Sequence, residues 1–459
     1  MEEQGLNKPV LGSVFGMFFG LLIIVYLGLG GFRNNYEFGT CAILLFSFSL
    51  FVGKMGTTIP FRELLAFIAV FQWLIGPVFM YRLGNPHPIY KMFVEESVYM
   101  DYAFWGTALF IGGLLLPISV NRLRKVNTQF LSVTKTQFFN VKTGKTLILI
   151  GLIFLFLPGI SFIAFVSYLM SQTLFIGVLV VLLSGEWKKN WFWLFLGGVG
   201  LTRMITSSLS FHTPVIWMTF FAIIMGWYFQ WSFARRITLI LVGGMAVFFI
   251  QFVKSDLRSA AGEGRPETME ELIWEQTLSN LGKSDALFSK AGFLKQLPRF
   301  NQGGVISRVM AHTPKKEAFA FGETLKATFE AVLLPRFLAP NKKKAGGKEN
   351  YERFTGFEIR PGTSINISPL GEMWANFGQN GIYWMFFYGL LMNFIWSLYY
   401  RASQNKVFLL LWIPFFFLQS LKAETDILTP MNHMVKSAVI IFIFFKWILP
   451  NHKYVLNKD

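Results

Sequence analysis

Hydrophobic and polar positions along the chain form long apolar runs separated by short polar joints, with one exception, a polar stretch from about 253 to 380. An α-helix needs about 20 apolar residues to cross a hydrocarbon core of about 30 Å. Twelve spans fit the pattern, at roughly 9–31, 40–53, 63–82, 101–120, 146–168, 171–185, 191–207, 212–231, 237–253, 381–400, 406–421 and 434–450. The pairs over 146–185 and 191–231 admit other divisions, and Leu157-Pro158-Gly159 predicts a kink in the fifth span because proline removes a backbone donor. The first apolar run, Val10 to Leu29, exceeds a signal-peptide core and reads as a retained first helix. The expectation is an all-α polytopic membrane protein in three parts. These are an N-terminal bundle of about nine spans over 1–252, a large helical loop domain outside the membrane over 253–380, and about three further spans over 381–459.

Composition agrees. Of 459 residues, 53% are hydrophobic and only 15% charged, where a soluble domain carries about 25% charge. A formal charge of +17 would point to nucleic acid in a soluble chain, but in a membrane protein lysine and arginine hold loops on the cytoplasmic face. Attraction to anionic lipid or to a diphosphate is a second reading, and no nucleic-acid partner is expected. With a cytoplasmic N-terminus, fourteen cations fall on inner loops: Lys54, Arg62, six from Arg122 to Lys145, Lys188, Lys189, Arg235, Arg236, Arg401 and Lys406. The short outer loops hold six, Arg33, Arg82, Lys91, Arg203, Lys422 and Lys436. That asymmetry predicts both termini inside and the polar insert outside. Cys41 stands alone, so no internal disulfide forms, and the five histidines lack ligand spacing. Neither a metal nor a cofactor is expected.

The insert carries most of the candidate chemistry. Residues 266–281 read as an amphipathic scaffold helix with Glu267, Glu270 and Glu271 near its start. Arg308 and His312, four apart, share a helix face that could present a cation and a titratable base to one ligand. Arg299 and Asn301 precede that helix, and Glu323 opens the next. Arg336 follows Leu334-Pro335, where its planar fork suits a phosphate; pairing with a carboxylate is the structural alternative. The segment 341–350 (NKKKAGGKEN) reads as a solvated loop or a lid. Ser368-Pro369 predicts an N-cap and first helical position, with Glu372 in the first turn and Asn376 beyond it. At the bundle's outer edge, Lys254 and Arg258 form a basic pair and Arg203 stands near the end of the seventh span; snorkelling to headgroups is the plainer role. Trp274 and Trp374 could stack on sugar rings or anchor the membrane interface.

An ordered set of fragments resembles the bacterial oligosaccharide repeat-unit polymerases, the Wzy-type O-antigen and exopolysaccharide polymerases. It runs from Lys254-x-x-x-Arg258 through Arg299-Phe-Asn-Gln, Phe319-x-x-Gly322-x-Thr324-Leu325 after Pro314, and Leu334-Pro335-Arg336-Phe337. It continues through Phe354-Thr355-Gly356 and Thr363-Ser364 to Gly371-Glu372-x-x-Ala375-Asn376-Phe377-Gly378, covering about 250–400. The resemblance implies a metal-independent membrane glycosyltransferase of the GT-C type in the bacterial inner membrane. Such an enzyme transfers a growing glycan from undecaprenyl diphosphate to the non-reducing end of an incoming lipid-linked unit.

For that chemistry, cations must stabilise the departing diphosphate and a base must take the acceptor's proton. Lys254, Arg258, Arg299, Arg308 and Arg336 are the candidate cations, with Arg203, Asn301 and Asn376 as further binding residues. Glu372 is the first candidate base, followed by Glu323 and His312. A chain-length regulator and a flippase are conceivable partners. The alternatives are a ligase that delivers glycan to another acceptor, a flippase or other transporter, and a structural membrane protein. The large loop domain, the absence of an evident repeat and the concentration of charge at span ends argue against transport.

Overall fold

The apolar runs fold into helices, which in chain order are α1 (Lys8–Leu29), α2 (Asn35–Lys54), α3 (Phe61–Leu83), α4 (Glu96–Leu115), α5 (Val141–Phe156), α6 (Phe165–Leu183) and α7 (His212–Tyr228). Within the polar region lie α8 (Gly303–His312), α9 (Glu323–Leu333), α10 (Lys348–Thr355) and α11 (Ser368–Phe377). The chain continues with α12 (Gly381–Asn405), α13 (Ile413–Phe417) and α14 (Leu428–Ile448). The computed structural model describes residues 8–55, 58–84, 91–117, 141–157, 164–186, 189, 212–245, 289, 292, 296–297, 300–334, 342–343, 345–359 and 364–449. No strand occurs among them.

Six stretches among the described residues are long and apolar enough to cross a bilayer: α2, α3, α4, α6, the run Ser368–Ser403 and α14. Shorter apolar helices are Val14–Leu29, Val215–Tyr228 and Phe408–Phe417. Large apolar side chains remain exposed in stripes, among them Tyr383, Phe387, Leu391, Phe394 and Leu398 on α12 and Val435, Val439 and Phe442 on α14. Contiguous apolar surface at helical spacing is what lipid covers in a membrane protein.

Several predicted spans differ in detail. The fifth is shorter than expected: α5 ends at Phe156 and helix resumes at Ala164, with Pro158 outside the described residues. The predicted span 406–421 is a 3-10 turn, Val407–Trp412, followed by the five-residue α13. Pro414 explains the break, since it cannot donate to the preceding turn and crowds it. Predicted span 191–207 lies outside the described residues, and 237–253 is described only to 245, helical over 233–245.

Helices α4 and α12 cross at glycine. A Cβ on Gly389 would stand 2.1 Å from the Phe110 carbonyl oxygen, and one on Gly113 would stand 2.3 Å from that of Phe386. Small residues let two backbones approach this closely, and in lipid such van der Waals contact is a main driver of association.

The described part of the polar region meets the bundle at a defect in α3. Residues Phe71–Ile75 form a π-turn, which displaces the regular ladder and leaves carbonyls without their usual partners. Two of them are taken from outside the helix: the Gln302 N–H donates to the Gln72 carbonyl at 3.1 Å, and the Tyr99 hydroxyl donates to that of Trp73 at 2.8 Å. Gln302 precedes α8, so the same irregularity fixes where α8 starts. Tyr102 of α4 donates to the Leu370 carbonyl in α11 at 2.8 Å, and Gln379 donates to the Asp101 carbonyl. The contacts from Gln302, Leu370 and Gln379 therefore lie at the end of the bundle where α2, α4 and α12 begin and α3 finishes. At the other end, the Arg62 guanidinium joins the Leu116 carbonyl to Asn393 of α12.

Candidate functional site

Glu372 sits in the second turn of α11, not in the first as the sequence suggests, and it is fully buried. The helix opens at Ser368, whose φ of +63° is costly for a residue with a Cβ. The Ser368 hydroxyl nevertheless accepts from the Gly371 N–H at 3.3 Å, a capping contact. Glu372 lies past the first turn, so its carboxylate does not serve the α11 dipole. Its Oε2 accepts from the Ile427 N–H at 2.9 Å, immediately before α14. An unpaired N–H at a helix N-terminus is a natural carboxylate partner.

Beside Ile427 stands Asp426, a second buried carboxylate. Its Oδ1 accepts from the Thr429 N–H at 3.1 Å and the Thr429 hydroxyl at 2.6 Å, capping α14, while Oδ2 has no partner among the described residues. Burial pushes the Asp426 carboxyl above its ordinary range, opposed by the Thr429 bonds and by the positive charge of Lys343. Glu372 and Asp426 repel one another, and Lys343 acts on both.

Lys343 also faces a cavity of about 270 Å³. Its walls are Ala331 of α9, Lys342, Lys343 and Ala345 of the following segment, Gln419, Phe165 of α6, and Thr429, Asn432, His433 and Lys436 of α14. Lys342 donates to the carbonyls of Ala331 at 2.8 Å and Leu334 at 2.6 Å, closing the C-terminus of α9. Lys343 donates to the Asn350 side-chain oxygen, and Lys436 lies over the Phe165 ring at 4.3 Å. Thr429 belongs to both places: it lines the cavity and is bonded to Asp426. The cavity and the carboxyls form one locality where the described part of the polar region meets α14.

The other predicted residues are placed as follows. Asn376 is buried and its amide is engaged inside the protein, donating to Thr324 at 2.7 Å and to the Glu372 carbonyl at 2.8 Å, and accepting from the Gly322 N–H at 3.0 Å. Arg308 and His312 do share a face, but protein packs it. The Arg308 guanidinium lies between the rings of Phe93 at 4.3 Å and Phe357 at 4.0 Å and donates to the Tyr351 hydroxyl. The His312 ring lies against Gly356, where a Cβ would come within 2.4 Å of it.

Glu323 is largely exposed at the start of α9 and pairs with Arg353 at 2.8 Å, as does Glu317 at 2.6 Å. The Arg353 hydrogen bond holds the Glu323 carboxyl below its ordinary value, a poor setting for a base. Asn301 is buried beside α3 and donates to Met92. Trp374 donates to the Thr313 carbonyl and meets Tyr102 edge-on, so it packs inside. Lys254, Arg258, Arg299, Arg336, Arg203, Trp274 and the 266–281 helix lie outside the described residues.

Sequence reasoning missed Asp426, His433, Lys343 and Lys436 as members of one site. Asp426-x-x-Thr429-Pro430 is legible as a helix start, but a capping aspartate gives no sign of a buried carboxyl neighbour 54 residues earlier. Lys343 reads as part of a solvated lysine run, and only the fold turns it inward. Among the described residues, no group of three or more His, Cys, Asp or Glu gathers as a metal site would require. In comparisons with known proteins, no family model, curated protein or solved structure matches this chain.

Proposed function

We propose that this chain is a membrane glycosyltransferase that polymerises lipid-linked oligosaccharide repeat units. The observation that carries the reading is the joint between the polar domain and α14, where a lysine-lined cavity adjoins the buried Glu372–Asp426 pair. Transfer of a glycan from a lipid diphosphate asks for these two features together. An acceptor hydroxyl oxygen bonds to the anomeric carbon while the bond from that carbon to the diphosphate oxygen breaks. The electron pair leaves with the diphosphate, whose growing charge fixed cations stabilise. The hydroxyl proton passes to a carboxylate, and the carboxyl pair is the acceptor assigned here. A carboxyl raised by burial, as Asp426 is, is a stronger base than an exposed carboxylate. The full proposal has twelve spans, a GT-C-like arrangement, both termini in the cytoplasm of a bacterium, and the polar domain on the outer face of the inner membrane.

The test is an assay of the purified protein with an undecaprenyl-diphosphate-linked oligosaccharide. A ladder of products spaced by one repeat unit is expected, and Glu372→Gln should reduce its formation by at least about a hundredfold, the scale of lost acid–base catalysis. Transfer of finished glycan only to a different acceptor would convert the reading to a ligase. Movement of the intact lipid across a vesicle without new glycosidic bonds would replace it with transport.

A further inference from the structure

We infer that α9 lies along the membrane surface, with Phe321, Phe329 and Leu333 sunk among the lipids beside α12 and α14. The assignment goes beyond the functional reading above and is independent of it. It also places one helix of the polar region in the bilayer's edge, where the sequence leads one to expect the whole stretch outside the membrane.

Helix α9 (ETLKATFEAVL) has three faces. Thr324, Thr328 and Ala331 are buried against the protein, where α9 packs on α11 and α14. Glu323, Lys326 and Glu330 form an exposed polar face. Between these two, at spacings of three and four, run Leu325, Phe329, Val332 and Leu333. Leu325 and Val332 are partly exposed, while Phe329 is 63% and Leu333 69% exposed. An apolar stripe of this kind is unfavourable in water, and helices that lie in a lipid surface carry this pattern. Lys326 borders the stripe, where its long stem lets the ammonium reach phosphate headgroups.

Phe321, just before the helix, adds an independent sign. It is 80% exposed and has a φ of +45°, a region costly for a bulky side chain. The C-terminal end of α11 holds it there. The Ala320 and Phe321 N–H groups donate to the carbonyls of Ala375 at 3.0 Å and Asn376 at 3.1 Å, and the Gly322 N–H donates to the Asn376 side chain at 3.0 Å. A strained backbone thus keeps a phenyl ring turned out of the protein, an arrangement that suits an apolar medium and not water.

Two joints with the spans make lipid the occupant. At the start of α9, a Cβ on Gly322 would lie 3.7 Å from the Phe377 ring. Phe377 stacks on Trp384 at 4.7 Å, and Trp384 meets Phe387 at 5.9 Å. Tyr383, Trp384 and Phe387 open the exposed apolar stripe of α12, and tyrosine and tryptophan at the end of a span mark the headgroup level. Towards the other end of α9, Ala331 shares a cavity wall with Asn432, His433 and Lys436. These lie beyond the first turn of α14 and beside Val435, where the exposed stripe of that helix begins. Helix α9 is therefore joined at both ends to surfaces that lipid covers, and its own apolar stripe continues them.

The experiment uses the full chain in nanodiscs. The buried Cys41 is replaced by alanine, and single cysteines are placed by Leu325→Cys, Lys326→Cys, Phe329→Cys, Glu330→Cys and Leu333→Cys. Each carries an environment-sensitive fluorophore, read against aqueous iodide and against lipid bearing a nitroxide at the headgroup or on the acyl chain. Phe387→Cys on α12 is the lipid reference. Probes at 325, 329 and 333 should emit to the blue, and lipid nitroxide should quench them severalfold more than those at 326 and 330. The ratio of the two nitroxides should place them about 5–10 Å below the headgroup boundary, and iodide should show the opposite order.

Equal iodide quenching at all these α9 positions, with no preference for lipid nitroxide at 329 and 333, leaves the stripe in water and overturns the assignment. Quenching by neither agent at 329 and 333 overturns it as well, because protein then covers the stripe, either a second copy or another segment of this chain. Should the cysteine variants fail to fold, lipid carrying a diazirine on its acyl chain is photolysed with the unmodified protein. Adducts on Phe329 and Leu333 comparable with those on Phe387 support the assignment, and adducts on Phe387 alone overturn it.

Discussion

Replacing Asn376 with alanine separates a substrate-binding role from a structural one, and the geometry gives the expected size. The side chain is buried and makes three hydrogen bonds, joining the C-terminal half of α11 to Gly322 and Thr324 at the start of α9. Alanine removes all three. The Glu372 carbonyl is four residues back in the same helix and retains a backbone partner at the Asn376 N–H, so it is not orphaned. The Gly322 N–H and the Thr324 hydroxyl lose the Asn376 contact in a place with little water. A buried polar group left without a partner costs about 1–3 kcal/mol, so the two together predict a loss of roughly 2–6 kcal/mol. Because Glu372 is carried on the same turn, activity should fall with the fraction of folded protein.

The assay is thermal unfolding of the purified protein in detergent, paired with turnover per folded molecule. The melting temperature should drop by several degrees, and Asn376→Asp, which keeps the acceptor for Gly322 while losing both donors, should fall between wild type and alanine. A melting temperature unchanged in Asn376→Ala, together with weaker substrate affinity, would refute this reasoning and return Asn376 to the binding site.

Three further outcomes are expected. Asp426 has its carboxyl raised by burial, so the folded state binds its proton more tightly than the unfolded chain does. Stability is then greatest below the ordinary value near 3.8 and declines as pH climbs from there through the raised value; a pH series of melting temperatures should show this decline in the wild type and less of it in Asp426→Asn. Arg308→Ala removes a guanidinium held between two rings and bonded to Tyr351, a desolvated cation–π arrangement worth about 2 kcal/mol or more. Its melting temperature should fall even without substrate, and an unaltered melt with lost turnover would instead favour a catalytic role. Gly389→Leu places a side chain where even a Cβ meets the Phe110 carbonyl at 2.1 Å, so α4 and α12 must separate; a cross-link engineered between these helices should form less efficiently, while Gly12→Leu, where nothing lies within 4 Å, should leave it intact.

Much of the architecture is legible in the chain because lipid imposes a one-dimensional rule. A segment that crosses hydrocarbon must be apolar over about 20 consecutive residues and must satisfy its own backbone, so α2, α3, α4, α12 and α14 stand close to their expected positions. The rule weakens where the backbone is irregular. It missed the π-turn in α3, which needs the Tyr99 hydroxyl and the Gln302 N–H to be tolerated, and it merged the 3-10 turn and α13 into one span.

The candidate site was legible only in part, for a related reason. Glu372 stands out in sequence as a carboxylate beside an apolar run, but its full burial is visible only in the fold. Whether a cation is spent on the fold or kept for a ligand depends on residues distant in the chain. Arg308 looked available until Phe93, Tyr351 and Phe357 closed around it, while Lys343 looked solvated until Asp426, just before α14, and His433 and Lys436 on it came near. Sequence alone determined that this protein is helical and apolar enough for a membrane, because that demand acts on each segment separately. Only the tertiary structure decided which polar groups share a buried space, because desolvation and charge act between side chains that the chain order keeps far apart.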